Sequence, residues 1–216
     1  MTGVEPVETA AVALGDAAAV ASEGATERKC SGPEPPEVRD LADRCEAGCE
    51  EAIREFVARY ERLLFAISLR MLGDRQDAED VVQESLVRVL RAIGRWDRDR
   101  PLVPWMATIV SNRCRTALKS RSRRAKLTAD ARQPTVSDDQ TAAAVTRSEQ
   151  RAAIDAAVQT LSEDLREVFV LHYQGGLTCQ QIAEQIGRPE GTIKTWLYRA
   201  RGRLAPKLAH LTAADD

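Results

Sequence analysis

The sequence has few aromatic residues, few histidines and no long apolar run. Three Phe, three Tyr and three Trp make up 4% of its 216 residues, and two residues are His. This scarcity fits small helical bundles better than β sandwiches, whose strands are enriched in aromatic residues. No run approaches the ~18 apolar residues that a membrane span needs. The amino terminus has no basic segment, and Asp16 and Glu23 interrupt its Ala-Val run, so it does not read as a signal peptide. We therefore expect a cytoplasmic protein without membrane insertion.

Residues for catalysis and for metal binding are also scarce. No nucleophile-base pair and no phosphate-binding loop can be named, so the sequence predicts no enzyme and no cofactor. The five cysteines are odd in number and scattered, which excludes a disulfide framework. Cys45 and Cys49 would share a helix face and could hold a metal or sense redox state, but no further ligands lie nearby. We favour buried or incidental thiols over a metal site.

Charge is distributed unevenly along the chain. The formal net charge is −2, yet acids dominate residues 1–40. The stretch from Asn112 to Lys126 is basic without a single acid, and Gly191 to Thr212 also contains none. Affinity for nucleic acid must therefore be judged segment by segment.

Periodicity and composition predict an all-α protein with two small helical domains on a flexible tether. Strand-like alternation of useful length is absent. We expect a disordered Ala-, Glu- and Pro-rich tail over 1–38, a helical domain over 39–127, a polar linker over 128–147 and a second helical domain over 148–210.

The last quarter of the chain predicts a helix-turn-helix. Thr178 and Gln181 have the spacing of a capping box, Gly187 ends the first helix, and the second opens near Pro189. Its apolar stripe is Ile193, Leu197, Ala200 and Leu204. The outward face is rich in hydroxyl and basic side chains, as suits a helix in a DNA major groove. The candidate contacts are Arg188, Glu190, Thr192, Lys194, Thr195, Tyr198, Arg199 and Arg201. An ordinary helical hairpin with a solvated basic face is the alternative.

In the first domain, Gly73 and Asp74 interrupt one amphipathic helix, and a second helix that starts at Asp74 and ends at Gly94 has acids opposite its apolar face. Asp77, Asp80 and Glu84 share that stripe. Acids in a first helical turn also favour the helix dipole, which explains part of the pattern. The remainder indicates a docking surface for a basic partner.

An aromatic and basic segment follows, with a polar loop from Arg95 to Val103 and a helix predicted to begin at Pro104. Cations that follow phosphates and rings that stack on bases suit single-stranded nucleic acid. Alternatively, Trp96 and Trp105 are core anchors. The candidate contacts are Arg95, Trp96, Arg98, Arg100, Trp105, Asn112, Arg113, Arg115 and Lys119.

The order of these features resembles the extracytoplasmic-function (ECF) sigma factors of the bacterial sigma-70 family. The run Asp77 to Glu84 resembles the family's polymerase-docking signature, Pro104-Trp105-Met106 its promoter-melting helix, and Gly191 to Arg201 its carboxy-terminal domain. Cys179 and Leu102 depart from the usual pattern.

The resemblance implies a dissociable initiation subunit. Core RNA polymerase would bind Asp77, Asp80, Gln83 and Glu84. The aromatic and basic segment would capture unpaired bases of the minus-ten element, and the helix-turn-helix would read the minus-thirty-five element of promoter DNA. An anti-sigma factor is a further candidate partner. The alternative is a stand-alone helix-turn-helix regulator, which predicts tight DNA binding without polymerase.

Overall fold

The computed structural model describes residues 34–127 and 152–212, with side chains described up to 124 and 208. These residues fall into two compact units, and every regular element in them is helical, as predicted. Most of the predicted tail and the whole predicted linker lie outside the described residues. None of the helices in the described ranges is long and apolar enough to cross a membrane.

The first unit contains four α-helices and one 3-10 turn. They are α1 (Pro36–Glu46), α2 (Glu50–Leu72), α3 (Arg75–Ala92), the 3-10 turn Ile93–Arg95 and α4 (Leu102–Leu127). Phe56 and Leu64 of α2, Val89 of α3, and Met106 and Val110 of α4 are fully buried. The three long helices pack on one another through these side chains, and α1 packs against α2 and the 3-10 turn.

Local chemistry sets the helix ends as the sequence indicated at Gly73 and Asp74. Gly73 ends α2 with a left-handed φ of 70°, which glycine adopts without steric cost. The Asp74 carboxylate then caps α3 by accepting the backbone N–H of Asp77 at 2.9 Å.

Three predicted boundaries differ from the structure. Helix α1 begins at Pro36, inside the stretch predicted to be tail, because proline is tolerated in the first turn of a helix. Helix α4 begins at Leu102 rather than at Pro104, which occupies its first turn. Helix α3 ends at Ala92, and Gly94 lies within the following 3-10 turn.

The second unit contains a helix over 152–159 (α5) followed by three further helices. These are α6 (Glu163–Tyr173), α7 (Cys179–Ile186) and α8 (Glu190–Thr212). The predicted capping box is confirmed: the Thr178 hydroxyl accepts the Gln181 N–H at 3.2 Å, and the Gln181 side chain accepts the Thr178 N–H at 2.8 Å. Gly187 ends α7 with a φ of 71°. Helices α7 and α8 therefore form the predicted helix-turn-helix.

Candidate partner and nucleic-acid interfaces

The outward face of α8 carries most of the side chains predicted to contact duplex DNA. The inward residues Ile193, Leu197 and Leu204 are at most 1% exposed, whereas Tyr198 is 72% exposed. Burial of the inward stripe fixes the rotation of α8, and so fixes which side chains face outward. The other exposed residues of the predicted set are Arg188, Glu190, Lys194, Thr195 and Arg199.

Some members of this face already have partners. Lys194 forms an ion pair with Glu190 at 2.8 Å, one helical turn away. The Thr195 hydroxyl donates to the Gly191 carbonyl at 2.8 Å, which leaves its oxygen able to accept. Thr192 is partly exposed. Arg201 is also only partly exposed and lies close enough to His172 to influence its pKa, so it belongs to the edge of the face.

His172 joins the helix-turn-helix to α6 and was not singled out from the sequence. Its Nδ1–H donates to the Leu177 carbonyl at 2.9 Å, which ties the end of α6 to the residue before the Thr178 cap. Burial lowers the pKa of His172, and the Arg201 charge acts in the same direction, while the hydrogen bond to Leu177 opposes them. The imidazole is thus a structural group behind the outward face of α8.

The acidic stripe of α3 projects outward from the first unit. Asp80, Gln83 and Glu84 are exposed, and Asp77 is partly exposed. The helix holds these residues on one side because Ala78, Val82 and Val89 are buried on the other. This arrangement can accept a basic partner surface.

Two of these acids pair with the basic side chains of α4. Glu84 accepts a hydrogen bond from Arg113, and Asp77 lies 3.9 Å from Arg121. Residues predicted for polymerase and for DNA therefore contact each other. We call the outward side chains of α4 its basic ridge (Trp105, Asn112, Arg113, Arg115, Lys119 and Arg121). The acidic stripe and this ridge form one continuous charged surface.

The other side chains of the basic ridge differ in their exposure to solvent. Asn112 and Lys119 are exposed, while Arg115 is partly exposed and donates to the Asn112 side chain. Trp105 is partly exposed at the amino-terminal end of the same helix. The ridge thus retains solvent-facing polar groups along α4.

The loop between α3 and α4 differs from the prediction at Trp96. This side chain is 3% exposed, and its indole N–H donates to the Arg100 carbonyl at 3.0 Å. A buried indole offers no face to a base, so the interpretation of Trp96 as a stacking surface is wrong for this conformation. The alternative, a core anchor, describes it correctly.

Arg98 is the second correction in this loop. Its guanidinium donates to the Asp43 carboxylate, the Glu46 carboxylate and two backbone carbonyls of the loop. The side chain is 25% exposed, and these bonds hold its guanidinium against α1 and the loop, so in this conformation Arg98 is not free to contact DNA. Arg95 and Arg100 remain outward, with Arg100 77% exposed and 3.3 Å from Asp97.

Two family models match the chain in the order of its two units. Sigma-70 region 2 matches residues 56–124, and Sigma-70 region 4 matches residues 151–204. Together they cover more than half of the chain, and they include α3, most of α4 and the helix-turn-helix.

The chain belongs to the sigma-70 family of RNA polymerase sigma factors.

Curated relatives of this sigma factor carry the ECF name or a sigma-factor name. It is 28% identical to RNA polymerase sigma-H factor of Pseudomonas aeruginosa, over 76% of this chain and 89% of that one. It is 27% identical to ECF RNA polymerase sigma-E factor of Haemophilus influenzae, over 79% of this chain and 95% of that one. It is 30% identical to ECF RNA polymerase sigma factor BldN of Streptomyces coelicolor, over 77% of this chain and 64% of that one. The sigma factor is thus of the ECF type and acts in promoter-specific initiation of transcription.

Solved structures show the same fold. The sigma factor RpoE, in a complex with the anti-sigma factor NepR from Bartonella quintana, matches 72% of this chain and 96% of its own with a TM-score of 0.59 at 23% identity. CnrH, in a complex with the cytosolic domain of CnrY, matches over 82% of this chain and 98% of the CnrH chain, with a TM-score of 0.50 at 24% identity.

No three His, Cys, Asp or Glu side chains converge on a metal site within 34–127 and 152–212. Cys45 is buried in the first unit, and this burial raises the pKa of its thiol. Cys49 is partly exposed and donates to the Glu51 carboxylate at 3.3 Å.

Proposed function

We propose that the exposed face of α8 reads the upstream, minus-thirty-five element as duplex DNA. The observation that carries this proposal is the contrast between buried Ile193 and Leu197 and exposed Tyr198 and Arg199 on one helix. Major-groove edges of the bases carry a distinct pattern of donors and acceptors that such side chains can read. The contacts would come from Arg188, Glu190, Thr192, Lys194, Thr195, Tyr198, Arg199 and Arg201.

The first unit would dock on core RNA polymerase and capture unpaired bases of the minus-ten element. The acidic stripe, Asp77, Asp80, Gln83 and Glu84, is the proposed polymerase surface. Arg95, Arg100 and the ridge of α4 are the proposed surface for single-stranded DNA, with Trp105, Asn112, Arg113, Arg115 and Lys119 on the ridge. Exposed cations along a helix follow a phosphate backbone, which supports this assignment.

Strand opening would be driven by binding energy, and the protein would act as a cytoplasmic initiation factor rather than as an enzyme. Two small DNA-binding surfaces on one chain gain little effective concentration unless their spacing is fixed. Core polymerase would fix that spacing. DNA recognition would therefore depend on assembly of the holoenzyme.

An anti-sigma factor is the regulatory partner that the family suggests. One solved structure with this fold, the complex of RpoE with the anti-sigma factor NepR from Bartonella quintana, is of that kind. Such a factor would act by covering one of the faces that polymerase or DNA needs.

The deciding experiment adds the purified chain to bacterial core polymerase and looks for promoter-specific run-off transcripts. Asp80→Lys should abolish association with core polymerase, while Glu61→Lys, an equal charge change at an exposed position of α2, should not. Circular dichroism should show unchanged helicity for both. Normal association of the Asp80 variant would refute the docking assignment.

A gel-shift titration of the isolated chain at a stated salt concentration tests the alternative. Salt must be fixed because phosphate contacts depend on it steeply. We expect weak binding. Nanomolar, sequence-specific binding without polymerase would instead support a stand-alone regulator.

A further inference from the structure

Helix α1 holds the segment 93–101, which we name the promoter loop. The matched sigma region 2 begins at residue 56, so α1 lies outside it. Its apolar side, with Val38, Leu41 and Ala42 buried, packs into the first unit. Its polar side supplies carboxylates to the loop. The contacts are specific enough to assign α1 a role in the proposed DNA-binding function.

Arg98 is the centre of these contacts. Its Nε and Nη2 atoms donate to Asp43 Oδ1 at 3.0 and 2.8 Å, and Nη2 also donates to Glu46 Oε2 at 3.0 Å. Its Nη1 atom donates to the carbonyl oxygens of Ile93 and Trp96 at 2.7 and 3.0 Å. One guanidinium thus joins the end of α1 to the backbone of the promoter loop. A planar group with several fixed donors is suited to this, and lysine is not.

Two contacts fix the far end of the loop to the same amino-terminal segment. The Leu102 N–H, at the start of α4, donates to the Glu34 carboxylate at 2.7 Å. Arg39 lies 3.4 Å from Asp99. The loop is therefore held by residues 52 to 68 positions away in sequence.

The conformation that results decides which side chains the loop presents. Trp96 is buried and Arg98 is held against α1, while Arg95, Asp97 and Arg100 are exposed. We propose that α1 is a positioning element for the promoter loop. Through its contacts with Asp43 and Glu46, Arg98 orients the exposed side chains of the loop toward unpaired DNA. This inference rests on the proposed function of the loop.

Gly94 offers an independent way to disturb the same contact. A Cβ at this position would lie 2.4 Å from Glu46 Oε1 and 2.8 Å from its carboxyl carbon. Gly94 is not among the glycines with positive φ, so its backbone accepts alanine. Gly94→Ala should therefore displace the Glu46 carboxylate from Arg98 without straining the loop.

The test uses the full chain assembled with core polymerase on a duplex promoter. The double variant Asp43→Asn, Glu46→Gln keeps side-chain size and removes the two charges that hold Arg98. The control, Glu37→Gln with Asp40→Asn, makes the same charge change on exposed residues of α1. The Asp40 ion pair is internal to α1, with Arg44 at 3.8 Å, and does not touch the loop.

The measurements are association with polymerase and the rate at which thymines of the minus-ten region become reactive to permanganate. We expect the Asp43, Glu46 variant to open the promoter about tenfold more slowly, the factor that ~1.4 kcal/mol gives, with association unchanged. Exposed ion pairs contribute little to stability, so a structural role alone would leave both readouts near those of the control. An opening rate equal to that of the control, or an equal loss of polymerase association, would overturn the inference.

Epistasis gives a second, independent criterion. Gly94→Ala alone should slow opening by less than the double charge variant does, because Asp43 still holds Arg98, and it should add nothing once Glu46 is replaced by alanine. An additive effect would mean that Gly94 acts through another contact and would count against the inference. If the wild-type chain directs no promoter-specific transcription at all, the proposed function fails first. If wild type is active and all variants open normally, only the positioning role fails.

Discussion

The two units place their candidate DNA-binding side chains differently. In the second unit, Tyr198 is 72% exposed, and the recorded ion pair on its face, Lys194 with Glu190, is between neighbouring turns of one helix. In the first unit, the Arg98 and Arg113 side chains are each 25% exposed and pair with acids 52 to 55 and 29 positions away. In the helix-turn-helix, packing of the buried stripe orients the exposed side chains. In the first unit, part of the candidate surface is engaged in ion pairs with residues that are distant in sequence.

This difference indicates how each surface becomes available. The face of α8 is already formed in the free chain, since its buried residues set the rotation of the helix. Between α3 and α4, Glu84, which is proposed for polymerase, also neutralises Arg113, which is proposed for DNA. A basic polymerase surface that engages Glu84 would compete with Arg113 for it.

The sharpest test of the comparison replaces an aromatic residue in each unit. Trp96→Ala should lower the free energy of unfolding by ~3–5 kcal/mol, because it empties a buried site and removes the bond to the Arg100 carbonyl. Tyr198→Ala should change it by less than ~0.5 kcal/mol. Chemical denaturation measures both. Similar values for the two variants would contradict the burial contrast.

A second test concerns base reading by the preformed face. Arg199→Ala should cost ~1–3 kcal/mol of discrimination between a promoter and one with a scrambled upstream element, if the side chain contacts a base. Competition binding of the holoenzyme gives this ratio. Lys207→Ala, at an exposed position farther along α8, is the control. An equal loss of affinity for both promoters would indicate that Arg199 contacts a phosphate rather than a base.

A third, smaller effect concerns the cap that starts α7. Thr178→Ala removes the acceptor for the Gln181 N–H and should destabilise the second unit by ~1 kcal/mol. Thr178→Ser keeps the oxygen and should remain near wild type. Thermal unfolding measures the shift. If serine is as harmful as alanine, the methyl group rather than the cap is responsible.

The smallest expected effect is a pH dependence at His172. Burial lowers its pKa below the ordinary value of 6.5, so between the two pKa values the unfolded chain binds more protons than the folded one. The contribution of His172 to stability is complete above 6.5 and is lost as pH falls through the folded pKa. Denaturation of wild type and His172→Gln between pH 5 and 8 should show curves that converge on acidification. Parallel curves would exclude a titrating role for His172.

Sequence reasoning succeeded where a structure depends on neighbouring residues. The Thr178 capping box, the Gly187 helix end and the buried stripe of α8 each follow from spacings within one or two turns. It failed where contacts join distant residues. Nothing around Arg98 indicates that Asp43 and Glu46 will meet it, and the prolines before Val38 suggested a tail although Pro36 can begin a helix. The charge pairing of Arg113 with Glu84 was hidden for the same reason.

The buried indole of Trp96 also makes the promoter loop observable by fluorescence. The chain has three Trp, and Trp105 and Trp196 are both partly exposed. Replacing these two by Phe would leave one emitter, whose N–H is bonded to the Arg100 carbonyl inside the loop. Any rearrangement that released Arg98 from α1 would change the surroundings of that indole. The emission of a single tryptophan would then follow the loop in real time, from the free chain through the polymerase complex to the open promoter.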